Sequence, residues 1–198
     1  IKWGTIDEYR LPCLNAININ VRKMEGLPID AKSLENIDKF QVYVTVVDIN
    51  DDTLRSFDRV LYLEYLNHMS ELSEKSCLKT LLKRADYLHI REAGKDVEQI
   101  VPLLDKDGFK ELSSLDVTYC DYVKCIVNRQ AISTLTVFPC LRSLHLSHLW
   151  KSKMICDGEA LPGMFSNLKS FVLDDLAKLS YGLPLVPRNL VDISVSSC

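Results

Sequence analysis

The feature of this sequence that most limits its fold is a spaced pattern of apolar residues that recurs along the chain. The clearest copy reads Phe109-x-x-Leu112-x-x-Leu115-x-Val117-x-x-Cys120. Two later copies begin with a phenylalanine at positions 138 and 165, and a shorter one starts at position 190. The apolar-x-apolar centre of each copy is typical of a short strand with one buried face. We infer that the chain is built from a repeated unit.

The apolar-x-apolar pair recurs at regular intervals. Its first residue falls at positions 17, 40, 61, 88, 115, 144, 171 and 193, so successive copies are 23, 21, 27, 27, 29, 27 and 22 residues apart. This spacing is that of leucine-rich repeats, whose period is about 20–29 residues. No single repeat can bury its apolar face, so the copies must stack. We predict an α/β fold: a right-handed leucine-rich-repeat solenoid (a horseshoe) of about eight repeats, with parallel strands on the concave face and short helices and irregular turns on the convex side.

The segments between the strands differ in character. Residues 76–84 carry leucines at helical spacing and predict a short helix, and residues 96–104 predict a second one that Pro102 limits. The later connectors are rich in glycine and proline and favour irregular or 3₁₀ turns. We expect residues 1–198 to form a single domain and, because the chain begins at Ile1 rather than at a methionine, to be part of a longer protein.

Composition and motifs argue against several functions. The net charge of −3 offers no basic stripe for nucleic acid, and no apolar run is long enough to span a membrane. The sequence contains neither a phosphate-binding glycine loop nor a hydrolase or metalloprotease motif. The sequence has seven cysteines, none of them in a CxxC pair, and it has no Asn-x-Ser/Thr sequon. We therefore expect no enzyme, cofactor or metal site, and a cytoplasmic location with free thiols.

The strand residues that alternate with the core positions are the candidates for binding. In a parallel stack, equivalent positions form rows across the sheet face. We predict one row from Asn18 and Gln41 through Tyr62 and His89, and a neighbouring row that contains Tyr43. Tyrosine and arginine are enriched where binding energy concentrates. The predicted partner-binding residues on the concave face are Tyr43, Tyr62, Glu64, His89, Arg91, Asp116 and His145.

Two expectations follow from these rows. Alanine at Tyr43, Tyr62, His89 and Arg91 should affect recognition while leaving thermal stability nearly unchanged, because the sheet face is taken to be solvent-exposed. His89, Asp116 and His145 occupy one row in consecutive repeats, so an exposed carboxylate should lie between two imidazoles. The alternative is that these polar residues merely solvate the sheet. End repeats without polar caps also predict end-to-end self-association of the chain.

Three segments resemble the leucine-rich-repeat region of plant coiled-coil nucleotide-binding immune receptors, the disease resistance proteins. These are CLKTLLKRADYLHI (77–90), DKDGFKELSSLDVTYCDYVKCIVN (105–128) and FPCLRSLHLSHLWKSKMIC (138–156). The resemblance covers most of residues 55–198. It implies a protein-binding sensor that recognises a pathogen effector, directly or through a guarded host protein, and that holds the receptor's own nucleotide-binding domain inactive. Nucleotide binding itself is not carried over, because the phosphate loop lies outside this sequence.

A second class of protein is also compatible with these repeats. The substrate-recognition array of an F-box ubiquitin-ligase subunit is cytosolic and has irregular leucine-rich repeats, and its F-box would precede Ile1. An extracellular receptor ectodomain is disfavoured by the missing sequons and by the missing cysteine-pair caps. The sequence does not identify an effector or ligand.

Overall fold

The structure is a computed structural model. It describes residues 15–23, 27, 36–47, 49, 52–66, 76–132, 134, 136–159, 161–181, 183 and 187–198. The first part of the predicted domain 1–198 therefore lies outside the described residues. Within the described part the fold is α/β, with few helices and one large parallel sheet, an arrangement compatible with a solenoid.

Eight strands form the large sheet and three form a small one. The strands of the large sheet, in their spatial order, are β1 (Ala16–Val21), β2 (Lys39–Val44), β3 (Arg59–Glu64), β4 (Tyr87–Arg91), β6 (Ser114–Thr118), β8 (Ser143–Ser147), β10 (Ser170–Asp174) and β11 (Asp192–Ser196). The small sheet contains β5 (Gln99–Val101), β7 (Cys125–Asn128) and β9 (Cys156–Asp157). Every predicted apolar-x-apolar pair lies within one of the eight strands, so their predicted positions are confirmed.

The core lies beneath one face of the large sheet and includes the small sheet. The inward residues of β4, β6 and β8 pack in one cluster with Ile100, Val101, Ile126 and Val127 of the small sheet. Cys120, the last residue of the clearest copy, is fully buried in this cluster. Burying alternate residues of each strand leaves the other face of the large sheet, which we call the outer face, for polar side chains.

A single α-helix, α1 (Ser76–Arg84), connects β3 to β4 within the described part of the chain, and it is the helix predicted from the leucine spacing. Leu78, Leu81 and Leu82 are buried in the core. The last turn carries Lys83 and Arg84, whose charges are favourable near the carbonyl end of a helix. Lys83 Nζ also forms an ion pair with Asp107 at 2.6 Å.

The predicted helix over residues 96–104 is wrong. Residues Gln99–Val101 form β5, which pairs in parallel with β7. Ile100 and Val101 are β-branched and favour a pleated strand, and Pro102 cannot donate the backbone bond that a helix requires. Pairing with β7 supplies the hydrogen bonds that a helix would have made internally.

The predicted register between β2 and β3 is also wrong, by two residues. Val42, rather than Phe40, lies opposite Leu61, and Tyr43 lies opposite Tyr62. All of Phe40, Val42 and Val44 are buried, so β2 has three consecutive inward positions that can align with the next strand. A two-residue shift keeps the same face inward, so the hydrophobic pattern does not select between the two registers.

Candidate protein-binding surface

One row of side chains crosses the outer face through the middle of the strands. The register places Tyr43, Tyr62, His89, Asp116 and His145 at equivalent positions of successive strands. Glu64 and Arg91 are paired in the neighbouring row on the same face. All seven residues predicted from the sequence therefore lie on one surface. Tyr43 belongs to the row of Tyr62 rather than to the neighbouring row, which follows from the corrected register.

Three consecutive members of the central row have aromatic side chains: Tyr43, Tyr62 and His89. The ring centroids of Tyr43 and Tyr62 lie 6.4 Å apart at an interplanar angle of 40°. Tyr62 and His89 are stacked, with centroids 4.3 Å apart and an angle of 22°. These separations follow from the spacing of about 4.8 Å between parallel strands, which brings equivalent side chains into contact.

The predicted arrangement of Asp116 between two histidines takes a different form. Tyr87 donates its hydroxyl proton to Asp116 Oδ2 at 2.6 Å, and His89 Nδ1 lies 3.9 Å from the same oxygen. His89 Nε2 is 3.1 Å from the hydroxyl oxygen of Thr118. The side chains of His89 and Asp116 are largely buried, so the expected exposure is wrong. Sequence reasoning missed Tyr87, although its alternation with His89 and Arg91 along β4 places it on the outer face.

Glu64 and Arg91 form a second polar cluster next to the central row. The Glu64 carboxylate accepts a hydrogen bond from the Thr45 hydroxyl and lies 3.4 Å from Arg91 Nε. Arg91 Nε is also 3.5 Å from Glu92 Oε1. Burial, and then the negative charge of Glu64, raise the pKa of Tyr62. The guanidinium of Arg91 is thus held between two carboxylates.

Part of the outer face is covered by the segment between β2 and β3. Leu54, in a 3₁₀ helix over Asp52–Ser56, packs in a cluster with Val60 and Tyr87. Tyr62 is 7% exposed and Glu64 is 4% exposed. The solvent exposure assumed for Tyr62 is therefore wrong. We expect alanine there to destabilise the chain, because the substitution would remove a buried ring.

The accessible part of the surface lies where β4, β6, β8 and β10 end. The guanidinium carbon of Arg91 lies 4.8 Å from the centroid of the Tyr119 ring. Tyr119 stacks on His148, with centroids 4.3 Å apart at 16°. His148 Nε2 is 3.8 Å from Asp175 Oδ2, and Trp150 Nε1 donates to the same oxygen at 3.2 Å. The exposed fractions of Tyr119 and Trp150 are 41% and 49%.

We call this surface the carboxyl-end strip. It consists of Glu64, Tyr65, Arg91, Glu92, Thr118, Tyr119, Ser147, His148, Trp150, Asp174 and Asp175, of which Glu64, Thr118 and Ser147 are buried and the others at least partly accessible. Of this set, the predicted site residues include only Glu64 and Arg91, although Thr118, Ser147 and Asp174 occupy the same predicted row. Tyr65, Glu92, Tyr119, His148 and Asp175 could have been found from their position directly after each strand, where a side chain lies at the edge of the sheet.

Comparisons with known proteins do not identify a family for this chain. No protein-family model matches the chain, and no curated protein or solved structure matches it either. The structural search for metal sites found no group of three or more histidine, cysteine, aspartate or glutamate residues placed to hold an ion among the residues that the structure describes. In the same part of the chain, none of the helices has the length and apolar character needed to cross a membrane.

Proposed function

We propose that the chain is a leucine-rich-repeat solenoid of about eight repeats with the horseshoe shape of that class. Repetition of backbone detail supports this proposal. The residues that follow β3, β4, β6, β8 and β10 all have left-handed backbone conformations, with φ between 53° and 57°. At the start of β6, β8, β10 and β11, two consecutive N–H groups donate to one carbonyl of the preceding copy, for example Arg142 and Ser143 to Ser113.

The function that this surface supports best is protein recognition. Tyrosine, tryptophan and arginine carry much of the binding energy in protein interfaces, since they bury a large area with few rotatable bonds. On the carboxyl-end strip, Arg91, Tyr119 and Trp150 belong to one continuous chain of contacts and remain partly exposed. The observation that carries the proposal is this chain of contacts, in which partly exposed aromatic and guanidinium side chains are linked through Asp175.

The resemblance in the sequence extends the proposal to a biological role. We propose that the chain is the recognition and autoinhibition module of a cytoplasmic plant immune receptor, which senses a pathogen effector directly or through a host protein. The same surface would contact either that partner or the receptor's own nucleotide-binding domain. Loss of the surface should then abolish recognition or activate the receptor without an effector.

The test uses the receptor that contains this chain, expressed transiently in leaves, with cell death as the measurement. The variant is Tyr119→Ala/Trp150→Ala, and the matched control is Tyr181→Ala, which removes an aromatic ring that is also exposed but lies outside the strip. We expect the double variant to respond without an effector or to lose its response, and the control to behave as the parent does.

A normal response of the double variant, with normal protein levels, would show that the strip takes no part in recognition or autoinhibition. Thermal melting of the purified chain separates this outcome from misfolding. Because both rings are substantially exposed, the double variant should melt within a few degrees of the parent.

A further inference from the structure

The carboxyl-end strip concentrates negative charge. Two adjacent rows of the strip contain the carboxylates of Glu64, Glu92, Asp174 and Asp175 and one guanidinium, that of Arg91. With neutral histidine this is an excess of three negative charges, equal to the net charge of −3 for the whole chain. Lys151, which follows Trp150, lies over the Tyr122 ring at 4.1 Å beside the strip. An excess of carboxylates on a surface attracts cationic groups, so the strip favours a cationic partner.

The chain itself shows how this surface holds a cation. Arg91 lies between the carboxylates of Glu64 and Glu92, at 3.4 and 3.5 Å, with its guanidinium over the ring of Tyr119. A cation over an aromatic face is attracted by the ring quadrupole, and two carboxylates add charge-assisted hydrogen bonds. Carboxylates beside an exposed aromatic ring are thus a binding arrangement for arginine in this fold.

A comparable set of groups lies farther along the sheet, where β8 and β10 end. The indole of Trp150 donates to Asp175 Oδ2, and the carboxylate of Asp174 accepts from the Ser196 hydroxyl at 2.6 Å. Among the residues that the structure describes, no arginine or lysine forms an ion pair with Asp174 or Asp175. The aromatic ring and the carboxylates are therefore present here without an arginine or lysine from the described residues, and the nearby basic group is the His148 imidazole, 3.8 Å from Asp175 Oδ2.

We propose that Trp150, Asp174 and Asp175 bind an arginine or lysine side chain in a basic segment of a partner protein. This inference rests on the proposed function, since it names the chemistry of the partner that the strip recognises. The cationic group stacks on the indole of Trp150 while its N–H groups donate to the two carboxylates. Tyr119 and His148 continue the aromatic surface toward Arg91, so a segment crossing the strands remains in contact with rings.

The experiment measures binding of a fluorescein-labelled peptide of twelve glycine and serine residues into which four arginines are placed. The comparison peptide carries citrulline in place of each arginine, which keeps the planar group and removes the charge. Binding to the 198-residue chain is followed by fluorescence anisotropy at low and at physiological salt. We expect the arginine peptide to bind and the citrulline peptide to bind at least about tenfold more weakly.

Two variants locate the site. Asp174→Asn/Asp175→Asn removes two charges but keeps oxygen atoms that accept from Ser196 and Trp150, and Trp150→Ala removes the ring. The control, Glu98→Asn/Asp107→Asn, removes two carboxylates that pair with Lys124 and Lys83 away from the strip. We expect each strip variant to weaken binding of the arginine peptide about tenfold. The control should change that binding less than about twofold.

Equal weakening by the control would show non-specific attraction to an acidic protein and would overturn the inference, as would equal binding of the citrulline peptide. The leaf assay keeps this failure distinct from failure of the proposed function. If Tyr119→Ala/Trp150→Ala alters signalling while the arginine peptide does not discriminate, the strip recognises a protein by other chemistry. If the double variant signals normally and the arginine peptide does not discriminate, the protein-binding function itself is wrong.

Discussion

At the scale of single residues, the side chains of the strip owe their position to an uncommon backbone conformation. Tyr119 and His148 have φ of 54° although they are not glycine. A side chain in this region is unfavourable by roughly 1–2 kcal/mol, so the surrounding structure must stabilise it. Tyr119 N donates to Ser147 O at 3.0 Å and His148 N to Asp174 O at 2.9 Å, which continues the sheet's hydrogen bonds past the strand end. The turn carries both rings to the edge of the outer face.

Cysteine reactivity gives a residue-scale prediction. Cys120 is fully buried, and burial raises the pKa of its thiol to about 12. At pH 8 the thiolate fraction is then far below that of an ordinary cysteine, and the thiolate is the reactive form. We expect iodoacetamide to modify the exposed Cys140 and Cys198 in the folded chain and to leave Cys120 unmodified. Peptide mass spectrometry provides the measurement, and the same reaction in urea is the control. Rapid modification of Cys120 without denaturant would contradict its burial.

At the scale of elements, the connectors hold the copies together by a stack of phenylalanine rings. The ring centroids of Phe109 and Phe138 are 5.6 Å apart, and those of Phe138 and Phe165 are 5.7 Å apart. Asp105 sets the turn before the first ring, because its buried carboxylate accepts from the backbone N–H of Phe109 at 2.7 Å. Gly108 lies in this turn and its carbonyl accepts from Phe138 N at 2.8 Å. The turn therefore joins two copies through the backbone as well as through the rings.

This turn predicts different costs for two glycine substitutions. Gly108 has φ of +82°, and an added Cβ would lie 2.7 Å from Thr136 O. Gly163 has a similar φ of +79° but no described atom within 4 Å of an added Cβ. Gly163→Ala should lower the free energy of unfolding only by the cost of the left-handed backbone conformation, about 1–2 kcal/mol. Gly108→Ala should lower the free energy of unfolding by about 1–3 kcal/mol more, because of the steric overlap. Urea unfolding of both variants measures the difference, and equal losses would show that the Gly108 turn relaxes without cost.

At the scale of the whole molecule, β11 is the end strand of the large sheet among the residues that the structure describes. Ile193 and Val195 of β11 are each 58% exposed, whereas the equivalent Phe171 and Leu173 of β10 are buried. Val191, just before the strand, is exposed as well. Apolar side chains next to a strand without a neighbour form a template for pairing with another strand. This end of the sheet is the surface through which we expect the chain to self-associate.

The self-association prediction is tested by Ile193→Lys/Val195→Lys. Charge on an edge strand opposes pairing, so the variant should sediment as a monomer at a concentration where the parent forms larger species. Val46→Lys/Val47→Lys is the matched control, because these valines are also about half exposed and lie far along the sheet from β11. Sedimentation velocity distinguishes the two variants. A parent chain that is monomeric at high concentration would make the prediction wrong.

The amino-acid sequence by itself determined where the eight strands of the large sheet lie. An apolar-x-apolar pair occurs in every copy, and a strand with one apolar face requires that alternation locally. The helix α1 followed for the same reason, because Leu78, Leu81 and Leu82 have helical spacing within nine residues. The alternation also placed all seven predicted site residues on the outer face. Each of these predictions depends only on neighbours along the chain.

Only the tertiary structure decided how the copies meet. The strand β5 formed because β7 offers its backbone a partner, and Tyr87 is buried in a cluster with Leu54 of a connector that crosses the outer face. The contact between Trp150 and Asp175 joins residues 25 positions apart. The register of β2 against β3 was open because a two-residue shift preserves the buried face. In each case the free energy depends on atoms brought together by folding, and no local pattern in the sequence contains that information.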